Sequence, residues 1–489
     1  MVESVRGAER VLMGMLPDGA LMQRAAAGLA AVCVTVLGRV YGARVVVLAG
    51  SGDNGGDALY AGERLAGRGA RVTAVLAASR HHEAGLAALR RAGGRVAAGD
   101  AGADAAIAAA DLVIDGMLGI GGRGGLRDPQ SRYAALLADA PGTVVACDLP
   151  SGIDADTGRV DGPAVTADVT VTFGTYKPGL FVDPAASRVG VLERVDIGLG
   201  AHLPEPGLVA YQADDVAGLL PRRSAESDKY RSGVLGLVAG GAKYTGAAVL
   251  ACGGAVRGGA GMVRFAGAEP AVNHVRSAWP EAVTTVVRAG HGDDPLSAGR
   301  VQAWAIGPGI GTDDDAAALL SAVLGADVPV IVDADGLTVL AKHRDLLDGR
   351  RAPTVLTPHA GELVRLLDDG TERGAVEAAR LEHARRAADT LGCVVLLKGS
   401  TTLVAPPDGG PVRANATGTS RLATAGTGDV LTGLVGALLS GGLPAADAAA
   451  AGAYLHGLAG RLASRGAPIG AHDVITALPE AIRTLTPAN

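Results

Sequence analysis

The 489 residues predict an α/β protein of two domains, each a mainly parallel sheet with helices on both faces. Three observations carry that prediction. The chain is too long for one ordinary core. Short β-branched runs alternate with Ala- and Leu-rich stretches through both halves, the order that builds parallel βαβ units. Strand after strand then runs into a loop bearing glycine or aspartate, at the sheet end where such folds collect ligands.

In the first half, residues 21–37 read as a helix and 44–48 as a buried strand. The loop Ala49-Gly50-Ser51-Gly52-Asp53-Asn54-Gly55-Gly56-Asp57 follows, then a helix over 58–65. Gly50, Gly52 and Gly55 satisfy GxGxxG, yet the ribose-binding acid expected about 20 residues on is missing. The strand at 71–76 runs instead into Ala77, Ala78, Ser79 and Arg80, so an ordinary hydride-transfer site is rejected. A strand over 111–114 ends at Asp115, ahead of the loop Gly119-Ile120-Gly121-Gly122-Arg123-Gly124-Gly125. Another over 143–146 leads to Asp148 and Leu149-Pro150-Ser151-Gly152-Ile153-Asp154. Any one of these acids is explained equally well as a turn cap; three loops in register predict a common crevice. After a strand at 169–173 comes Lys177, the first lysine of the chain, read either as a solvated surface residue or as a group approaching a substrate.

Residues 201–227 mix prolines and charges without a sustained period, and the junction is placed there, giving domains 1–212 and 213–489. Tyr230-Arg231-Ser232-Gly233 opens the second, ahead of a strand at 234–239, a loop containing Lys243 and a helix at 247–256. The lysine lacks the following Ser or Thr of a P-loop. Strands at 303–306, 328–332, 354–356 and 394–397 lead to a rim bearing Gly309, Asp333, His359 and Lys398. His359 could be a core or capping histidine, Asp333 a turn acid and Lys398 a surface charge; their shared position at strand ends points to a site. In LATAGTGDVLTGLVGALL, residues 422–439, Gly426, Thr427 and Gly428 can aim backbone N–H groups at a phosphate where an apolar helix begins. Asp429 beside a phosphate is repulsive unless it accepts a proton from an attacking hydroxyl or holds a metal. The plainer alternative is a first-turn helix acid.

Hydrophobic residues at 48% and charged residues at 19% give a globular composition. A net charge of −6 with no long basic run argues against a nucleic-acid partner. Cys33, Cys147, Cys252 and Cys393 are far apart in apolar runs, without zinc spacing, and read as buried thiols in a reducing compartment. The N-terminus lacks a secretory pattern, and the apolar stretches 25–38 and 448–460 fall short of a membrane span. The expectation is a cytoplasmic protein with no membrane partner; a homo-oligomer is left open.

AGTGDVLTG, with KGS at Lys398 to Ser400 and TPHAGE at Thr357 to Glu362, resembles the ribokinase-like superfamily, and TPHAGE is similar to the ADP- or ATP-dependent NAD(P)H-hydrate dehydratases. NGGD, DGMLGIGGRGG and CDLPSGID resemble the NAD(P)H-hydrate epimerase domain often fused to them. The resemblance implies a Rossmann-like epimerase domain followed by a ribokinase-like dehydratase domain. Together they would interconvert R- and S-NADHX or NADPHX and return the S epimer to NADH or NADPH, with ADP giving AMP and phosphate. In the first domain it implies substrate contacts from Asp53, Asn54, Gly55, Gly56, Asp57, Gly119, Ile120, Gly121, Gly122, Arg123, Gly124, Gly125 and Asp148, with Asp148 the choice for proton transfer at the hydrated carbon. It also implies K+ on Asn54, Asp115 and Ser151, oxygen donors that suit a hard cation. Ala58 departs from the glycine usual after NGGD. In the second domain Ala248, Gly309, His359 and Asp429 would contact the hydrated nucleotide, and Lys398, Gly399, Ser400, Thr401, Thr402 and Gly428 the adenine nucleotide, with Mg2+ accompanying ADP. Asp429 would be the base. Hydroxide leaves poorly, so phosphorylating the hydroxyl first makes elimination feasible. Two other readings compete: a kinase of a small hydroxylated metabolite, from GTGD alone, and a non-catalytic dinucleotide-binding sensor.

Overall fold

The β-branched runs of the first half form a seven-stranded parallel sheet from β1 (Arg44–Ala49), β2 (Arg71–Leu76), β3 (Arg95–Val96), β4 (Leu112–Gly116), β5 (Thr143–Cys147), β6 (Val169–Phe173) and β7 (Val191–Val195). Their order is β3-β2-β1-β4-β5-β6-β7. The computed structural model describes residues 2–220 and 233–485; Tyr230, Arg231 and Ser232 lie outside the described residues. The sheet runs one way from β1 to β3 and the other way from β4 onward, so a crevice opens beyond the carboxyl ends of β1 and β4.

Six helices belong to this unit: α1 (Val2–Met13), α2 (Ala20–Leu37), α3 (Asp53–Gly67), α4 (Glu83–Arg91), α5 (Gly99–Ala108) and α6 (Gln130–Ala138). By length and composition alone α2 could cross a membrane. One face of it packs on the sheet: Ala25, Leu29 and Cys33 are buried in the core with β1 and β5 residues, and Arg24 donates to the Ile197 carbonyl at 2.9 Å, while most of the helix is not buried. Between the loops after β1 and β4, backbone meets backbone. A Cβ on Gly50 would sit 1.9 Å from the Met117 carbonyl oxygen. Gly50→Ala is therefore expected to destabilise this unit by about 1–3 kcal/mol, read as a lower urea midpoint; an unchanged midpoint would mean the two loops are not packed together.

The second sheet holds β8 (Leu208–Ala210), β9 (Val234–Val238), β10 (Met262–Gly267), β11 (Val283–Val286), β12 (Ala303–Ile306), β13 (Val330–Val332), β14 (Thr354–Leu356), β15 (Val394–Leu397), β16 (Thr402–Ala405) and β17 (Val412–Asn415), in the order β11-β10-β9-β12-β13-β14-β15-β16-β17-β8. Among the described residues, only β16 runs antiparallel to its neighbours, β15 and β17. Because β8 pairs with β17, the chain divides into Met1–Glu205 and Pro206–Asn489. The junction thus precedes the expected 212/213 boundary, since a three-residue strand is too short to show through a Pro-rich stretch.

Helices α7 (Ala213–Leu219), α8 (Thr245–Arg257), α9 (Glu269–Ala278), α10 (Asp314–Leu324), α11 (Asp335–Lys342), α12 (Ala360–Leu367), α13 (Arg373–Ala378), α14 (Arg380–Leu391), α15 (Thr427–Ser440), α16 (Ala445–Ser464) and α17 (Ala471–Leu485) complete the unit. α8 and α15 touch through their backbones: a Cβ on Gly433 would lie 1.9 Å from the Ala251 carbonyl oxygen, and one on Gly254 2.2 Å from that of Val430. These apolar, glycine-bearing helices supply much of the unit's largest core cluster.

Candidate active sites

In the first unit the chain leaves β4 and β5 through two carboxylates. Asp115 is fully buried. Its Oδ1 accepts from Ser151 Oγ at 2.7 Å and the Met117 N–H at 3.2 Å, and its Oδ2 from the Ser151 N–H at 2.8 Å. Burial nevertheless pushes this carboxyl up to about 6, and among the described residues no basic side chain pairs with it. Asn54, at the start of α3, has its side-chain nitrogen buried without a partner. Oxygen donors around an uncompensated buried carboxylate fit a hard monovalent cation.

Asp148 follows β5 with φ +68, a backbone conformation sparsely used by residues other than glycine and common at functional turns. Lys177 is 1% exposed, which overturns the surface reading. Its Nζ donates to Asp148 Oδ1 at 2.5 Å, Thr172 Oγ1 at 2.9 Å and the Phe173 carbonyl at 2.9 Å. The Thr172 hydroxyl and the Phe173 N–H reach the same Asp148 oxygen, each at 3.2 Å.

Asp148 and Phe173 border a cavity of 730 Å³ whose lining also includes Asp53, Asn54, Asp57, Gly119, Ile120, Gly121 and Gly122, while Lys177, Thr172, Asp115 and Ser151 lie behind it. Arg123 and Gly124 line a second, 350 Å³ cavity that shares Arg6, Ile120, Gly121 and Gly122 with the first. Gly55, Gly56 and Gly125 line neither. Ala58 is buried against Gly116, which has no side chain to collide with its methyl, so the departure from glycine is accommodated. Sequence reasoning missed Arg6 and Glu9 on α1 and His82 at the start of α4, all in the cavity wall. The apolar spacing of Val5, Ala8 and Leu12 could have marked α1 as a packed helix with those charges at its edge. Glu9 is raised above its usual value by burial first and then by Asp148, against Lys177.

In the second unit the strand ends converge on a charged network. Asp333, 1% exposed beyond β13, accepts from Lys398 Nζ at 2.7 Å and from Thr432 Oγ1 at 2.7 Å. Burial alone would raise Asp333, but Lys398 and these hydrogen bonds outweigh it and hold the carboxyl below its usual value. Lys398 also lies 3.7 Å from Glu362 Oε2; these acids overcome the effect of burial and raise its ammonium. That ammonium is thus turned toward Asp333 and Glu362. Asp429, in the first turn of α15, is pushed up to about 7 by burial and then Asp333, with Lys398 opposing. Gly428 stands beside the pair, its missing Cβ 3.8 Å from both Asp333 Oδ2 and Lys398 Nζ.

His359 caps α12: its Nδ1 accepts from the N–H groups of Gly361 at 2.9 Å and Glu362 at 3.2 Å, while Glu362 Oε2 accepts from the His359 N–H at 2.8 Å. The capping alternative is therefore correct as local structure. It also fixes the tautomer, leaving the ring proton on Nε2 of a half-exposed imidazole. Burial lowers that ring's basicity. Gly309, with φ +67, packs on Tyr244 and Ala247. Ala248 is fully buried beside Gly240, so no side-chain atom of it faces solvent. Gly399 and Ser400 are exposed in the turn between β15 and β16, Thr402 is half-buried at the start of β16, and Thr401 is buried.

Two α/β units, each with carboxylates, glycine turns and an ion-paired lysine at its strand ends, have the form of a two-site enzyme. Residues 235–480 match the family model described as NAD(P)H-hydrate dehydratase and 18–179 that described as YjeF-related protein N-terminus. A bifunctional NAD(P)H-hydrate repair enzyme from Mycobacterium leprae is 48% identical over 95% of this chain and 93% of its own length. One from Moorella thermoacetica is 38% identical over 92% of this chain and 89% of its own. The chain belongs to the family of bifunctional NAD(P)H-hydrate repair enzymes. The crystal structure of the ADP/ATP-dependent NAD(P)H-hydrate dehydratase from Bacillus subtilis, co-crystallised with ATP and Mg2+, is similar over 57% of this chain and 99% of its own, at 31% identity and a TM-score of 0.52.

Proposed function

We propose that the first unit interconverts R- and S-NADHX or NADPHX and that the second returns the S epimer to NADH or NADPH, converting ADP to AMP and phosphate. The observation that carries this reading is Asp429, a carboxyl near 7 at the start of an apolar helix and beside the Asp333–Lys398 pair. A base works best near the operating pH. Asp429 takes the proton of the substrate hydroxyl as that oxygen attacks the terminal phosphoryl group of ADP. The backbone N–H groups of Gly426, Thr427 and Gly428 bind the transferring oxygens. Once phosphorylated, the oxygen leaves as phosphate, driven by the ring-nitrogen lone pair, and loss of a proton from the adjacent carbon restores the double bond. Lys398, Gly399, Ser400, Thr401, Thr402 and Gly428 hold the adenine nucleotide; Gly309, His359 and the first turn of α8, behind which Ala248 is buried, face the hydrated nicotinamide side. Mg2+, when bound with the nucleotide, would neutralise phosphate charge.

In the first unit Asp148, oriented by Lys177, moves the proton at the hydrated carbon. Asp53, Asn54, Asp57 and the loop from Gly119 to Gly125 hold the dinucleotide. Asn54, Asp115 and Ser151 would hold K+, whose charge would compensate the buried Asp115 carboxylate.

Mixed-epimer NADHX with ADP and Mg2+ is the test, followed by the near-ultraviolet absorbance of NADH. Recovery of all the NADH, faster than the uncatalysed exchange of epimers, is expected. A reaction that halts when the S epimer is spent would remove the epimerase assignment. If neither ADP nor ATP yields NADH, the repair reading fails and the metabolite kinase takes its place.

A further inference from the structure

Besides Asp148, the 730 Å³ cavity is lined by the carboxyls of Glu9, Asp18, Asp53 and Asp57, and of these four only Asp57 is buried. Asp57 comes from the first turns of α3, is 9% exposed, lines the cavity, and has an Oδ1 that is buried without any hydrogen-bond partner. Leaving such an oxygen unpaired is costly unless a ligand supplies the partner. We propose that Asp57 is the proton donor of the epimerisation, protonating the ring nitrogen of the hydrate while Asp148 accepts the proton of the hydroxyl on the neighbouring carbon. This rests on the epimerase reading of the first unit.

The chemistry requires two groups of opposite function. In the ring-closed hydrate one carbon bears both the hydroxyl and the ring nitrogen. As Asp148 takes the hydroxyl proton, the C–O bond becomes C=O and the C–N bond breaks. The departing electron pair stays on nitrogen, which takes the proton of Asp57. Rotation about the adjacent C–C bond then presents the other face of the carbonyl. In reclosure nitrogen attacks that carbon, the N–H proton returns to Asp57, and the oxygen recovers its proton from Asp148. No oxidant or further reactant enters, and both carboxyls end as they began.

The surroundings separate the two roles. Asp148 faces the Lys177 ammonium. Asp57 has no cation within ion-pair distance among the described residues. It faces Glu9 from α1, Asp53 from its own helix, and Asp148 and the Cys147 thiol from the end of β5. Burial first, and then those carboxylates, keep its proton on to well above the usual carboxylate range. A carboxylate held against a cation, beside a buried carboxyl that has only other acids around it, is the arrangement of a base and an acid sharing one site.

The full chain carries its own reporter, because its second unit consumes only the S epimer. With mixed-epimer NADHX, ADP and Mg2+, wild type should give a burst of NADH from the S epimer and a slower phase limited by R-to-S conversion. In Asp57→Asn the slow phase is expected to fall by ~10²-fold or more, with KM for the R epimer changed less than about threefold. Asp57→Glu, which keeps a transferable proton, should recover part of the rate. A slow phase in Asp57→Asn within about threefold of wild type overturns the proposal, as does Asp57→Glu being no faster than Asp57→Asn. Where Asp57→Asn does not fold, Asp57→Glu decides alone, through a slow phase that declines with rising pH as the acid loses its proton; a flat profile counts against it. A wild type lacking the catalysed slow phase would instead defeat the epimerase reading itself.

Discussion

Asp429→Asn is expected to lower kcat for ADP-dependent NADH recovery by ~10³-fold while leaving KM for ADP within about threefold, because it removes a proton acceptor and preserves the shape. The pH dependence has a definite sign. With the carboxyl at about 7, wild-type kcat/KM falls as pH drops below that value and the base is protonated. The residual rate of the variant is flat through the same window. Stability moves the opposite way. The folded value lies above the ordinary 3.8, so stability is fully present below the unfolded value and is lost as pH rises through about 7. The asparagine protein should therefore unfold at a higher denaturant concentration than wild type at pH 8. A variant within about tenfold of wild-type kcat would return Asp429 to the status of a first-turn helix acid.

Lys177→Met should be severe for the first unit. Both members of the Lys177–Asp148 pair are shielded, with side-chain exposures of 1% and 10%. Removing the cation leaves a buried carboxylate uncompensated, a loss of about 3–5 kcal/mol. It also frees the turn after β6 that three Nζ hydrogen bonds tie down. The expected result is an early urea transition for this unit, loss of the slow epimer-limited phase, and a retained burst from the second unit. A cost below about 1 kcal/mol would mean that water reaches the carboxylate freely.

The alternation of strands and helices was legible because the central strands of both sheets are short apolar, valine-rich runs buried on nearly every residue, such as Val46, Val47 and Leu48. The rim was legible for the same reason: once strand ends are known, Asp115, Asp148, Asp333, His359 and Lys398 fall at one edge of their own sheets. Pairings across that edge were not. Lys177 reads as a lone surface lysine until the turn at Gly174 folds it under β6, and nothing in the spacing of Asp333 and Lys398, 65 residues apart, announces their ion pair. The antiparallel excursion of β16 hid in a stretch where four-residue strands alternate with turns. Glu9 escaped because α1 precedes any strand and so has no place in a strand-end argument.

The direct backbone contact between α8 and α15 sets a gauge. Each helix begins at a loop of the second site: α8 after the turn through Tyr244, against which Gly309 packs, and α15 after Gly426. Helices touching through carbonyl oxygens and absent side chains have no compressible layer between them, so those two loops behave like the jaws of a calliper locked at one opening. On the proposed assignment of these loops, a substrate would be measured against a fixed span, from the nicotinamide end to the phosphoryl end. Molecules too short to reach both jaws engage one only and forfeit the alignment on which transfer depends.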